Sequence, residues 1–279
     1  MKKLCDILPY FIKELDSNMN KNEIITHCYI VIKHFLNYNR SDTIVFSNEY
    51  LTEEDIVKIK NVVKELKSYK PIQYILSESF FCDLRFFVNE DVLIPRKETE
   101  ELVNWIIHDN INTHKSYLDI GTGSACIIIS LSKKLNGDFE GVDVSKKALD
   151  IAKKNCMRHD VNISLNQLNI LNDNLSNNYD VIVSNPPYVL NSEKQFLDNN
   201  IFFEPDIALF VDDSDPLIYY KKIIKVASKY LKHNGLLYFE INEKFGSDII
   251  DLLKNHGFVN IELKKDINDK HRMVKSVFK

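Results

Sequence analysis

From Pro95 onward, short apolar and β-branched runs alternate with longer segments of helical spacing, and no other feature of the chain restricts its fold as strongly. SYLDI at 116–120 precedes a helical stretch over 124–135, and FEGVDV at 139–144 precedes one over 145–157. ISLNQLNI (163–170) and YDVIVSN (179–185) follow. After them come a helical stretch over 215–232, GLLYFEI (235–241), a helical stretch over 246–256, and two closing runs, FVNIELK and RMVKSVF. A helix between two strands lets the second strand run in the same direction as the first. The alternation therefore predicts an α/β fold with a largely parallel sheet covered by helices on both faces.

The first 75 residues have a different period. Leu4, Ile7, Leu8, Phe11, Ile12 and Leu15 follow helical spacing, with Pro9 expected to kink or delay the helix. Ile24, Cys28, Val31, Ile32 and Phe35 form a second stripe. Thr52 is placed to cap a third helix, whose first turn carries Glu53, Glu54 and Asp55 and whose apolar face is Ile56, Ile59, Val63 and Leu66. The aromatic segment SFFCDLRFFVNEDVLIP, broken at Asp83, reads as a hairpin or extended linker. The expected organisation is a helical domain over 1–75, a hairpin connector over 76–94 and a second, larger domain over 95–279.

The chain has 279 residues, 44% of them hydrophobic and 27% charged, which suits a globular protein of two domains. Its net charge of -4 gives no support to a protein that grips free DNA or RNA by its phosphates. The five cysteines show neither CxxC pairing nor metal-ligand spacing, so reduced thiols in the cytoplasm and no metal site are expected. Asp6, Lys13, Glu14 and Asp16 interrupt the first apolar patch too early for a signal peptide, and no apolar run reaches membrane-spanning length.

With only 7 glycines in the chain, the turn in LDIGTGSACIIISLS draws notice. Gly121 and Gly123 lie between a predicted strand and a predicted helix, where a bare backbone permits close ligand approach. Asp143, at the end of the next strand, is placed to accept hydrogen bonds from ribose hydroxyls, so a cofactor containing a nucleoside is expected. Asn169 and Ile170 reach the same edge of the sheet, suited to an adenine amine and ring. Each feature alone also reads as a turn, a loop or a core residue, and Asp119 reads equally as a carboxylate satisfying the turn. A dinucleotide-binding dehydrogenase is the competing reading, although Gly121-Thr122-Gly123-Ser124-Ala125 has a GxGxA form rather than GxGxxG.

Asn185-Pro186-Pro187-Tyr188 closes the fourth strand. Prolines stiffen the backbone and free carbonyls from ladder duty. The side-chain oxygen of Asn185 and the carbonyl of Pro186 can then accept both N–H bonds of one planar NH₂ group, with Tyr188 covering its flat face. That arrangement suits methyl transfer to an amide or amino nitrogen. A turn is the simple alternative, but four successive strand ends each carry one part of a coherent site.

These residues resemble the class I S-adenosyl-L-methionine-dependent methyltransferases, and within them the release-factor glutamine methyltransferases of the HemK type. The likeness includes PIQYIL (71–76), VLIPRKETEELV (92–103), LDIGTGSACI (118–127), FEPDIALF (203–210) and KDINDKHRMV (265–274). The resemblance implies a seven-stranded Rossmann-like sheet whose last strand is antiparallel, preceded by a helical substrate-docking domain. It also implies N5-methylation of the glutamine in the Gly-Gly-Gln motif of class I peptide-chain release factors, in the cytoplasm, by a monomer. By position, Gly121, Thr122, Gly123, Ser124, Ala125 and Asp143 would hold S-adenosyl-L-methionine, Asn169 and Ile170 would flank adenine, and Asn185, Pro186, Pro187 and Tyr188 would grip glutamine, Asn185 also reaching the cofactor. Arg96, Glu98 and Glu100 read equally as ion pairs at a helix start. The chain departs from the family pattern at Lys97, Ala125, Asn169, Ile170 and the glycine-free start of INEKFG. Glutamine methylation of a ribosomal protein, adenine-N6 methylation of DNA and a non-enzymatic cofactor-binding module are the alternatives.

Overall fold

Helix ends in the amino-terminal part follow from local capping. In the computed structural model, which describes all 279 residues, α1 (Ile7–Leu15) is entered through a single 3-10 turn over Leu4–Asp6. Pro9 therefore falls in the first turn, where its missing N–H forfeits no helical hydrogen bond. Asn20 accepts the Glu23 N–H to start α2 (Lys21–Leu36), which ends at Asn37 in the left-handed conformation, and α3 (Asp42–Val45) is a single turn. Thr52 Oγ1 accepts the Asp55 N–H at 3.1 Å to open α4 (Glu53–Leu66), and α5 (Ile72–Leu76) starts after Pro71. Ile7, Phe11, Leu15, Ile24, Cys28, Val31, Ile59, Val63 and Leu66 pack into one core. Phe35 packs at its margin, half-buried, whereas Ile56, expected on the apolar face of α4, is half-buried outside this core. These residues belong to one compact unit, Met1–Ser77 with Asp198–Phe203.

The second unit comprises Glu78–Leu197 and Glu204–Lys279. It opens on a hairpin, β1 (Glu78–Phe81) against β2 (Leu84–Phe87), and continues through α6 (Lys97–Asn110), β3 (His114–Ile120), α7 (Cys126–Ser132), β4 (Asn136–Asp143), α8 (Lys146–His159), β5 (Ser164–Gln167) and β6 (Tyr179–Ser184). The strands β7 (Val189–Leu190) and β8 (Phe210–Val211) pair with each other outside the main sheet, and α9 (Asp206–Leu209) lies between them in sequence. Then follow α10 (Ile218–Tyr230), β9 (Leu231–Glu240), α11 (Gly246–Asn255), β10 (Phe258–Lys265) and β11 (His271–Phe278). No helix is long and apolar enough to cross a membrane.

The seven-stranded sheet has the order β10-β11-β9-β6-β3-β4-β5. From β5 across to β9 every pairing is parallel, whereas β11 runs antiparallel to both β9 and β10. The antiparallel last strand implied by the resemblance is thus present. Leu118, Ile120, Val142, Ile182, Leu237 and Phe239 meet Ile223, Ile224 and Ile249 of α10 and α11 in one buried cluster. The opposite face carries α6, α7 and α8, with Leu102, Ile106 and Ile128 buried there.

Two features set the position of the site. Strand ends are level: Ile120 pairs with both Val142 and Ser184, and Asp143 pairs with Gln167. The chain also leaves β3 outward through β4 and β5, then returns to lay β6 on the other side of β3, which makes the β3 and β6 ends a topological switch point where ligands bind. The third strand stops at Gln167 rather than running to Ile170. Beyond it, Asn169 Oδ1 accepts the Leu171 N–H at 3.0 Å and Asp173 accepts the Asn169 N–H at 2.8 Å, a local turn that outcompetes the ladder.

The hairpin turn places Cys82 and Asp83 in left-handed conformations, φ 48° and 61°, without a glycine. Asp83 is exposed and its side chain packs against no core. Replacing Asp83 with Gly is expected to stabilise the protein by roughly 0.5–1 kcal/mol, because glycine adopts this backbone without steric cost. A higher urea midpoint at unchanged slope is the expected readout.

Candidate active site

The level ends of β3 to β6 enclose a cleft of about 320 Å³. Of the residues singled out in the sequence, Gly121, Gly123, Asp143, Asn169, Ile170, Asn185, Pro186 and Pro187 line it. Thr122, Ser124, Ala125 and Tyr188 do not. Val92 and Leu93, ahead of α6, and Pro205, Ile207 and Ala208, around α9, also border it.

The glycine turn works because of what lies beneath it. Gly121 (φ 75°) and Gly123 (φ 54°) are left-handed, and a Cβ added at Gly121 would meet no heavy atom within 4 Å. The backbone there borders open space, so a ligand can approach it closely. Thr122 is buried and donates its hydroxyl to Asp119 Oδ2 at 2.7 Å. Ser124 and Ala125 are also buried, with Ala125 capping α7 at φ 63°. Three of the five turn residues therefore support the turn from below and do not reach the cleft. Asp119 is fully buried, and burial pushes its carboxyl up to about 7, the Thr122 hydroxyl opposing the shift and the charge of Asp143 adding to it.

Asp143 is a clamp as well as a cleft residue. Its Oδ2 accepts the Gly123 N–H at 2.9 Å and its Oδ1 accepts the Ser145 N–H at 2.8 Å, which ties the glycine turn to the start of α8. Each carboxylate oxygen keeps a second lone pair for a ligand hydroxyl. Burial raises its pKa, against the pull of these backbone donors. Beside it, Asn169 spends one lone pair of its side-chain carbonyl on Leu171, and Ile170 is buried at the cleft edge. A cradle with a bare glycine backbone, a carboxylate and apolar walls of Val142, Leu168 and Ile170 fits a nucleoside-bearing cofactor.

At the other end of the cleft, Asn185 Nδ2 donates to Thr99 Oγ1 at 3.3 Å, and Asn185 Oδ1 has no hydrogen-bond partner within the protein. Thr99 in turn donates to Glu240 Oε2 at 2.6 Å, and the Tyr188 hydroxyl donates to Glu240 Oε1 at 2.9 Å. Glu240 is only 1% exposed. Burial raises its pKa, while the Thr99 and Tyr188 hydrogen bonds and the charge of Arg272 oppose the shift. The Tyr188 hydroxyl is held well above its usual range by burial and by the adjacent Glu240 charge. Its ring lines a smaller recess of about 40 Å³ together with Leu93, Arg96, Asn185 and Pro186. The Arg272 guanidinium lies 5.8 Å from the ring centroid.

The segments around 92–103 and 203–210 prove to be partners. Arg96 donates to Glu204 Oε1 at 2.5 Å, and the Ile94 N–H donates to Glu204 Oε2 at 3.0 Å. Glu204 is buried, so this pairing holds the loop before α6 against the loop before α9. Glu100 pairs with Lys97, and Glu98 accepts from Asn268, so neither faces the cleft. Thr99, Glu204 and Arg272 were not singled out as functional from the sequence. Nothing local could reveal Thr99, whose partner lies 141 positions away; the only available signal was its place within a family segment.

Comparison with known proteins agrees with this architecture. The family model for the PrmC N-terminal domain matches residues 12–76, and that for the methyltransferase small domain matches residues 99–209. A release factor glutamine methyltransferase of Flavobacterium psychrophilum is 44% identical over 276 residues, covering 96% of this chain and 97% of its own length. One from Streptococcus pneumoniae is 35% identical over 276 residues, covering 98% and 97%. Among solved structures, a methyltransferase from Pyrococcus furiosus matches with a TM-score of 0.51 at 16% identity, over 69% of this chain and 87% of that one, a likeness of fold alone.

Replacing Asp143 with Ala leaves the Gly123 and Ser145 N–H groups without their acceptor. The expected cost is roughly 1–3 kcal/mol, read as a lower midpoint in chemical unfolding, because a charged acceptor is lost from two donors at once.

Proposed function

Because the chain belongs to the release factor glutamine methyltransferase family, we propose that it methylates the side-chain amide nitrogen of the glutamine in the Gly-Gly-Gln loop of class I peptide-chain release factors. The methyl donor is S-adenosyl-L-methionine. One observation carries most of the reading. Asn185 stands in the cleft wall with its donor end tied to Thr99 and its acceptor end unpartnered. A carboxamide arranged in this way recognises an N–H group.

In this reading Gly121, Gly123, Asp143, Asn169 and Ile170 hold the donor, and Thr122, Ser124 and Ala125 keep the glycine turn in shape beneath it. When bound, S-adenosyl-L-methionine supplies a methyl group already activated on a sulfonium sulfur. Asn185 Oδ1 and the Pro186 carbonyl accept the two N–H bonds of the glutamine amide, while Pro187 stiffens the segment and Tyr188 closes the recess around the side chain. An amide nitrogen is a poor nucleophile because its lone pair is delocalised into the carbonyl. Fixing both hydrogens aims the nitrogen and favours the positive charge that grows on it, so a strong base is unnecessary. As the new N–C bond forms, the methyl C–S bond would break to leave a neutral thioether, and the nitrogen-bound proton, now acidic, would leave late to water.

The proposal extends to organisation. Residues 1–75 dock the protein substrate, 76–94 connect, and 95–279 carry the chemistry. The protein acts as a monomer in the cytoplasm, where release factors work, and needs no free nucleic acid. A net charge of -4, which offers a phosphate backbone no general attraction, supports a protein substrate over DNA.

Incubation with labelled S-adenosyl-L-methionine and either a class I release factor, a ribosomal protein fraction or duplex DNA, followed by mass mapping, tests the assignment. Label on the Gly-Gly-Gln glutamine is expected, and label on DNA adenine instead would replace the reading. Asn185→Ala is expected to lower transfer by at least about 100-fold, the scale of losing an oriented polar contact at a reacting group, with the fold intact.

A further inference from the structure

The hydrogen-bond chain behind Asn185 has a direction. Thr99 has one hydroxyl hydrogen, and that hydrogen is committed to Glu240 Oε2 at 2.6 Å. Its oxygen can therefore only accept from Asn185, and the amide must present Nδ2 to Thr99 and Oδ1 to the cleft. Glu240 keeps this order because an ionised carboxylate only accepts. Its Oε1 is already taken by the Tyr188 hydroxyl, so both oxygens are hydrogen-bonded inside a buried site.

A proton on Glu240 Oε2 would reverse the chain. The carboxyl would donate to Thr99, the Thr99 hydrogen would turn to Asn185, and the amide would flip to bring Nδ2 into the cleft. The cleft would then offer a donor where the substrate also brings donors. Two facing N–H groups repel and leave both unpaired.

We propose that Thr99 and Glu240 are positioning residues that fix the polarity of the Asn185 amide, so that substrate recognition depends on Glu240 being an unprotonated acceptor. This deepens the functional reading above and rests on it. It also accounts for three segments whose contribution was otherwise unassigned: the 98–100 turn of α6 supplies Thr99, the end of β9 supplies Glu240, and β11 supplies Arg272. Arg272 is itself held by Asp266 and by the Ile241 carbonyl, and its charge faces Tyr188 and favours the ionised carboxylate. The remaining charged and titratable neighbours are Glu98 on α6, which opposes ionisation, Tyr188 and Arg96 beside the recess, and Tyr220 on α10, whose hydroxyl donates to the Glu240 backbone carbonyl. Burial holds the Glu240 pKa above the ordinary carboxyl range. Activity lost on acidification is therefore expected to decline at a higher pH than an exposed glutamate would give.

The test compares wild type with Thr99→Val, Thr99→Ala and Thr99→Ser, measuring methyl transfer to a release factor across the acid range and the thermal midpoint of each protein. Valine and alanine remove the hydroxyl, valine at constant volume, and are expected to lower kcat roughly 10- to 100-fold, the usual scale for a misaimed reacting group. They are also expected to flatten the acid limb, since Glu240 can no longer signal to Asn185. Serine keeps the hydroxyl and is expected to restore both rate and limb. Wild-type kcat in the valine or alanine variant, an acid limb unchanged in either, or failure of serine to restore a rate lost in folded alanine would overturn the proposal while leaving the wild-type activity standing. A wild-type protein that transfers no methyl group would overturn the functional reading, and this one with it.

Discussion

The site exists because parallel strands share a register. Pairing Ile120 with Val142 on one side and Ser184 on the other forces three chain segments to leave the sheet at one level. Hydrogen bonding across the ladder sets that level, and a shift by one residue would carry the side chains packed against α10 and α11 to the opposite face. Leu118, Ile120, Val142 and Ile182 share a buried cluster, which makes such a shift costly. The glycine turn, Asp143 and Asn185 are consequently neighbours in space although the sequence separates them by tens of residues. Fold and site are one constraint here.

Above the sheet, three carboxylates, Glu204 and Glu240 buried and Asp143 half-buried at the cleft, join separate segments. Asp143 holds the glycine turn to α8, Glu204 holds the loop before α6, and Glu240 gathers Thr99 and Tyr188. A carboxylate without partners would be expensive to bury, so Glu204 and Glu240 have a donor on each oxygen. The same demand gives them directional control. Apolar packing fills space without specifying which end of an amide faces a cleft, whereas an acceptor with a fixed donor does. Asp119 differs from the others in having one oxygen without a partner, and burial correspondingly pushes its carboxyl up to about 7.

Much of this was legible in the chain. Helix stripes in the first 75 residues, the alternating pattern beyond Pro95 and the turn at Asp83 all correspond to observed elements, because each depends on residues close in sequence. The cleft-lining set was partly legible too. Gly121, Gly123, Asp143, Asn169, Ile170, Asn185, Pro186 and Pro187 border the cleft, while Thr122, Ser124 and Ala125 lie beneath it and Tyr188 borders the smaller recess. The distinction was invisible to a linear reading, since whether a turn residue faces ligand or core is set by backbone angles such as the 63° at Ala125. The end of β5 was missed for a related reason, as Asn169 and Asp173 form a turn that their spacing permits but does not require.

What the sequence alone determined was the period of each element, the chemistry available at each strand end and the family resemblance carried by short segments. These are local properties, fixed by neighbours within a turn or two. Only the tertiary structure decided that Thr99 would meet both Asn185 and Glu240, that Arg96 would find Glu204, and that Arg272 would lie over Tyr188. Such pairings join residues from different elements, and a one-dimensional pattern holds no record of which faces the folding of the sheet will bring together. The direction of a hydrogen-bond chain requires all its members in place at once.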